Sequence, residues 1–133
     1  MASDETIAAL NGAVQGLTYA SETDSPWTAI DWPAAAGVPA PEGIRKFGKL
    51  GRGDRVTEVT LADFFAPLTV DRDWYGAEEK AISARYRALR ELLTKLLASP
   101  KVFRVGGPVV TVYIVGIANG AGWAGLKTTA VET

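Results

Sequence analysis

Two short stretches of this chain gather oxygen donors. The first is SETDSP, Ser21 to Pro26, where Glu22 and Asp24 stand two apart and Trp27 follows directly. The second is the end of GWAGLKTTAVET, where Glu132 and Thr133 put a side-chain carboxylate, a hydroxyl and the chain's own carboxylate at one point. That segment is alternating, threonine-rich and strand-like to its final residue, with no polar tail. So many hard oxygens in one place call for a reason. The plain alternatives are a strand that simply stops at Thr133 and a solvated loop acid at Glu22. A further pairing, Glu22 with Asp24 or Asp31, has the residue types for carboxylate-based hydrolysis.

What is missing narrows the chemistry. The chain has no cysteine and no histidine. Disulfides, thiolate metal sites and cysteine nucleophiles are therefore absent. The usual general base near neutral pH and the commonest metal ligand are absent too. Ser-His-Asp and Cys-His schemes are closed, as are histidine-based zinc sites. No resident cofactor or enzymatic activity is expected.

Length and composition point to one domain over residues 1–133, with enough apolar sequence to bury a core without staples. The net charge of −1 argues against bulk binding to nucleic acid or a membrane surface. Arg45, Lys46, Lys49, Arg52 and Arg55 form a basic run, read as a solvated loop because aromatic residues are sparse there. GRGDRV follows no strand and opens no helix, so it is no dinucleotide fingerprint. MASDETIAAL lacks the basic start and apolar run of a signal peptide, and no stretch has the length of a membrane span. With zero cysteine, a cytoplasmic location is the expectation.

The elements that must position the oxygen-rich stretches are legible in outline. Ile7, Leu10, Val14 and Leu17 recur at helical spacing, so a helix is expected from Asp4 to Gln15, ended by Gly16. Residues 21–26 read as a polar turn, and Trp27 to Trp32 as a short strand. Pro33 to Gly53 carries three prolines and five glycines and reads as a long loop, with room for a short strand at Ile44 to Phe47. Arg55 to Val59 reads as a strand, followed by a short helical turn with Thr60 as N-cap and Asp63 in the capping-box position. The main helix is expected over Ala77 to Ala98, with Ile82, Tyr86, Leu89, Leu93 and Leu96 on its apolar face. Three strands follow: KVFRVG, VVTVYIVGIA and, through the turn NGAG, GWAGLKTTAVET. This order is α+β rather than repeated βαβ. The four tryptophans, Trp27, Trp32, Trp74 and Trp123, are expected mainly in the core, with Trp27 the best interface candidate because it borders the Glu22 loop.

Charge is distributed in blocks. Residues 1–44 carry six acids and no base, residues 45–55 five bases and one acid, residues 56–79 six acids and one base, and residues 80–104 seven bases and one acid. Such a pattern can orient a protein partner even at a net charge near zero.

Three stretches together, GLTYASETDSP, DWYGAEEKAI and KVFRVGG…VYIVG…GWAGLKTTAVET, resemble the nuclease A inhibitor family, small bacterial proteins that block a sugar-nonspecific DNA/RNA endonuclease. The resemblance covers most of the chain, and AGLKTTAVET and the DWY…EE helix start are its most specific parts. It implies an α-β-α sandwich with a central antiparallel sheet, and a one-to-one protein inhibitor that is a monomer when free. It implies that Thr133 reaches the catalytic magnesium of the nuclease and that Glu22 enters its active site. Glu132 and Asp24 would add to the negative field facing a basic cleft, and Trp27 would border the contact. Magnesium prefers oxygen ligands and commonly keeps waters that a substrate phosphate displaces. A terminal carboxylate beside a hydroxyl can imitate those phosphate oxygens while offering no bond to cleave. A binding module of this shape with a partner other than a nuclease is the alternative.

Overall fold

The computed structural model describes residues 4–20, 24–32, 55–70, 72–106, 109–118 and 122–131. Its elements are α1 (Asp4–Val14), β1 (Thr18–Ala20), β2 (Asp24–Pro26), β3 (Thr28–Trp32), β4 (Val56–Val59), α2 (Leu61–Thr69), α3 (Ala77–Leu96), β5 (Leu97–Gly106), β6 (Val109–Ala118) and β7 (Trp123–Val131). The five longer strands form one antiparallel sheet in the order β3-β7-β6-β5-β4. β1 and β2 form a separate antiparallel pair.

The α+β class and the central antiparallel sheet agree with expectation. The three described helices all pack on one face of that sheet. Leu10 and Val14 of α1, Phe64 and Phe65 of α2, and Tyr86, Leu89 and Leu93 of α3 share a buried cluster with Val102, Val112, Ile114 and Leu126 of the sheet. The alternation of a strand sends the intervening residues to the other face. There Trp32, Phe103, Val105, Tyr113 and Val115 make a second buried cluster, with Ile30, Val56 and Trp123 packed beside it. The stretch from Pro33 to Gly53, expected as a loop, lies outside the described residues.

Local chemistry sets the element ends. α1 stops where Gly16 takes φ 74, a left-handed conformation suited to a residue without Cβ. The carbonyls left open there, Ala13 O and Gln15 O, accept from the Arg85 guanidinium at 3.0 and 2.8 Å. Thr60 caps α2 as expected, its hydroxyl accepting the Asp63 N–H at 3.1 Å. α2 itself runs nine residues, longer than the short turn its local signals suggested. Pro67 argues against a helix interior, but burial of Phe64 and Phe65 outweighs that local penalty. At the start of α3 the Gly76 N–H donates to the Glu79 carboxylate at 2.9 Å.

The end of α3 is a correction. The helix ends at Leu96, not at Ala98, and Leu97 to Pro100 already belong to β5. Leu97 and Ala98 pair with Ala118 and Ile117, and Leu97 is 2% exposed. Pro100 disfavours helical backbone at the residue before it. Ser99 takes φ 49 where the register shifts between Ala98 and Lys101. Pairing and burial override the helix-forming tendency of LLAS.

Candidate functional site

The β1–β2 hairpin and the C-terminal half of β7 lie side by side. In the hairpin Thr18 pairs with Pro26, Tyr19 with Ser25 and Ala20 with Asp24. Residues 21–23, which connect the last rung, lie outside the described residues, and Glu22 is among them. Glu132 and Thr133, which follow the end of β7 at Val131, also lie outside them. Asp24 opens β2 opposite Ala20. The described residues thus supply the platforms that carry Glu22 and Thr133.

Both platforms are built on the apolar core. Trp27, directly after β2, is 5% exposed. Its ring meets Tyr19 edge-on at 5.8 Å and Phe64 edge-on at 6.2 Å, while Tyr19 stacks on Phe64 at 5.7 Å. In the free chain Trp27 is therefore a core residue beneath the hairpin. A buried indole N–H needs an acceptor, and Trp27 Nε1 donates to the Tyr86 phenolic oxygen at 3.1 Å. That phenol in turn donates to Thr18 O at 2.7 Å. One side chain of α3 thus holds the residues at both sides of the hairpin base. Burial pushes the Tyr86 hydroxyl up to about 12, with the Trp27 N–H only partly offsetting it.

The second set of contacts runs from β7. Thr128 Oγ1 donates to Pro26 O at 3.0 Å and lies 3.4 Å from Ser25 O. Thr129 Oγ1 donates to the Ser25 hydroxyl at 3.0 Å. No buried side-chain nitrogen or oxygen among the described residues lacks a partner. Sequence reading placed these threonines on the last strand but saw no role for them. The only available signal was the presence of two hydroxyls where valine would suit a strand as well.

A groove opens beside the hairpin base, between α2 and the start of α3. It has a volume of about 380 Å3 and is lined by Thr18, Leu68, Trp74, Ile82 and Tyr86 among others. Trp74 stands at 75% exposure, Ile82 at 46% and Val70 at 43%. Trp74 is thus not the core residue that its type suggested; it rests edge-on against Tyr75, with ring centroids 4.7 Å apart. Trp32 is in the core as expected, and Trp123 packs beside the second cluster.

Among the described residues, no three Asp or Glu side chains gather into a metal-holding group. No described helix is long and apolar enough to cross a membrane. A protein-family model described as nuclease A inhibitor-like protein matches residues 4–133. No curated protein matches the chain.

Proposed function

We propose, since the chain belongs to the nuclease A inhibitor-like family and is accordingly a nuclease-binding inhibitor rather than an enzyme, that it plugs the active site of a magnesium-dependent, sugar-nonspecific DNA/RNA endonuclease. Thr133 offers oxygen to the magnesium of the target in place of a substrate phosphate. Glu22 enters the same site and pairs with a cationic side chain. Asp24 and Glu132 strengthen the negative field toward a basic cleft, and Trp27 braces the hairpin from below. The protein acts as a monomer on one nuclease, in the cytoplasm.

The observation that carries this reading is the side-by-side attachment of the two platforms. The hairpin that bears Glu22 is hydrogen-bonded through Ser25 and Pro26 to the strand that leads to Thr133. Strands that are fixed to one another lose little further freedom on docking, so more of the contact energy appears as affinity.

The test is titration into a magnesium-dependent nonspecific nuclease assay. The native chain is compared with a Thr133 deletion, a C-terminal extension and Glu22→Ala. Deletion and extension are expected to weaken inhibition strongly, whereas an N-terminal tag does little. Glu22→Ala is expected to cost about 2–5 kcal/mol through the charge left unpaired in the enzyme. Full inhibition by a chain with a long C-terminal extension would sink the metal-capping mechanism.

A second reading, a protein partner other than a nuclease, has one observation in its favour: the Trp74 groove is open and apolar and the plugging mechanism leaves it unused. Capture of a non-nuclease partner that Trp74→Ala abolishes, with no inhibition of the nuclease, would select that reading.

A further inference from the structure

β3 and β7 are joined by backbone pairing from Trp32 and Trp123 to Thr28 and Lys127. Beyond Lys127 this ladder stops, and the next two residues of β7 continue the connection with side chains. Thr128 Oγ1 donates to Pro26 O, and Thr129 Oγ1 donates to Ser25 Oγ, both at 3.0 Å. Successive strand residues point to opposite faces. Their hydroxyls nevertheless meet adjacent residues of β2. The hairpin strand therefore runs along the edge of β7 and is gripped from both sides of the sheet.

These hydroxyls are not surface decoration. Thr128 is 3% exposed and Ser25 is 8% exposed. A buried hydroxyl is tolerated only with a partner, because its water is lost. An apolar β-branched residue would fill the same strand positions without that requirement. The sequence instead places paired hydroxyls where the two platforms touch. Ser25 lies three residues after Glu22, and Thr129 lies four residues before Thr133.

We propose that Ser25, Thr128 and Thr129 form a latch that fixes the spacing between the Glu22 hairpin and the C-terminal end. They are positioning residues for inhibition and do not themselves contact the nuclease. The inference rests on the reading above, in which both ends enter one active site. A ligand with two contact points at a set separation makes the second contact without a second search. Release the latch, and each point binds on its own.

The experiment measures inhibition constants against a magnesium-dependent nonspecific nuclease. Glu22→Ala, the Thr133 deletion and their combination are made in the native chain and in a Thr128→Val, Thr129→Val background. In the native chain each single change weakens inhibition, and the combined loss is smaller than the product of the two single losses. If neither single change has an effect, the active-site reading fails, and that result is separate from any behaviour of the latch. The double valine variant is expected to inhibit about tenfold more weakly, because the two contact points are no longer held at a set separation, and in it the combined loss becomes the product. Thr128→Ser with Thr129→Ser keeps both hydroxyls and is expected to restore tight inhibition. Should the double valine variant not fold, Ser25→Ala removes one hydroxyl without touching β7 and is read in the same way. Native-level inhibition by the latch variant, or the same non-product behaviour in both backgrounds, overturns the proposal.

Discussion

The Trp27 indole N–H donates to the Tyr86 phenolic oxygen at 3.1 Å, across 59 residues of sequence. The same oxygen donates its proton to Thr18 O at 2.7 Å. The middle of α3 thereby fastens the base of the β1–β2 hairpin. A three-residue strand pair is too short to stand alone, so its order comes from this post and from the threonines of β7.

Tyr86 makes stability depend on pH in the alkaline range. Its hydroxyl is held at about 12 by burial, against an ordinary value near 10. Below about pH 10 the phenol is protonated in both states and its contribution is fully present. Above that the unfolded chain loses the proton first, so stability falls as pH rises toward 12. The loss attributable to Tyr86 is about 3 kcal/mol across that window. Denaturant unfolding from pH 8 to 12 is expected to show the decline, and Tyr86→Phe is expected to flatten it. An unchanged slope in the variant would rule out Tyr86 as its source. Burial also raises Tyr113, so a residual slope is expected.

Gly125 lets β7 approach β6. A Cβ there would lie 1.7 Å from Ile114 O, a backbone atom that cannot swing away. Gly125→Ala is expected to destabilise the chain by about 3 kcal/mol through forced displacement of the strand pair. Chemical denaturation measures this. A loss within about 0.5 kcal/mol would mean that the strands have slack the geometry does not show.

Phe65 is 0% exposed, with edge contacts to Phe64 at 5.5 Å and Tyr86 at 6.3 Å. Phe65→Ala is expected to cost about 3–5 kcal/mol, since the cavity opens where α2, α3 and the sheet meet. Because Tyr86 loses a neighbour, hydrogen exchange in the hairpin is expected to quicken as well. Slow exchange there despite the overall loss would show that the hairpin is held from β7 alone.

Trp74 is expected to dominate the solvent-accessible fluorescence. At 75% exposure it contrasts with Trp27 and Trp32, at 5% and 1%. Trp74→Phe is expected to remove most of the acrylamide-quenchable emission while changing stability by less than about 0.5 kcal/mol. Strong quenching that survives the substitution, beyond a share from half-buried Trp123, would contradict the burial of Trp27 and Trp32.

Much of the fold is visible in local pattern. The stripe Ile7, Leu10, Val14 identified α1, and Leu10 and Val14 are indeed buried. The Thr60–Asp63 spacing identified the N-cap of α2 because its partners are neighbours in sequence. The three C-terminal strands followed from β-branched runs. Local pattern misjudged the length of α2 and the last turn of α3, where Pro67 and the LLAS stretch give a signal that burial reverses. It read the hairpin as a plain turn, since strands of three residues carry almost no periodicity.

Residue type and spacing by themselves determined α1, the N-cap of α2, most of α3 and the three C-terminal strands, the α+β order, the exclusion of histidine and cysteine chemistry, and the resemblance that family membership bears out. These depend on contacts within one turn or one strand, or on composition. Only the tertiary structure decided that Trp27 lies under the hairpin while Trp74 faces solvent, and that Thr129 meets Ser25 from 104 residues away. Such pairings depend on how sheet and helices converge, and an indole or a hydroxyl suits a core, a rim or a latch equally well until its neighbours are in place.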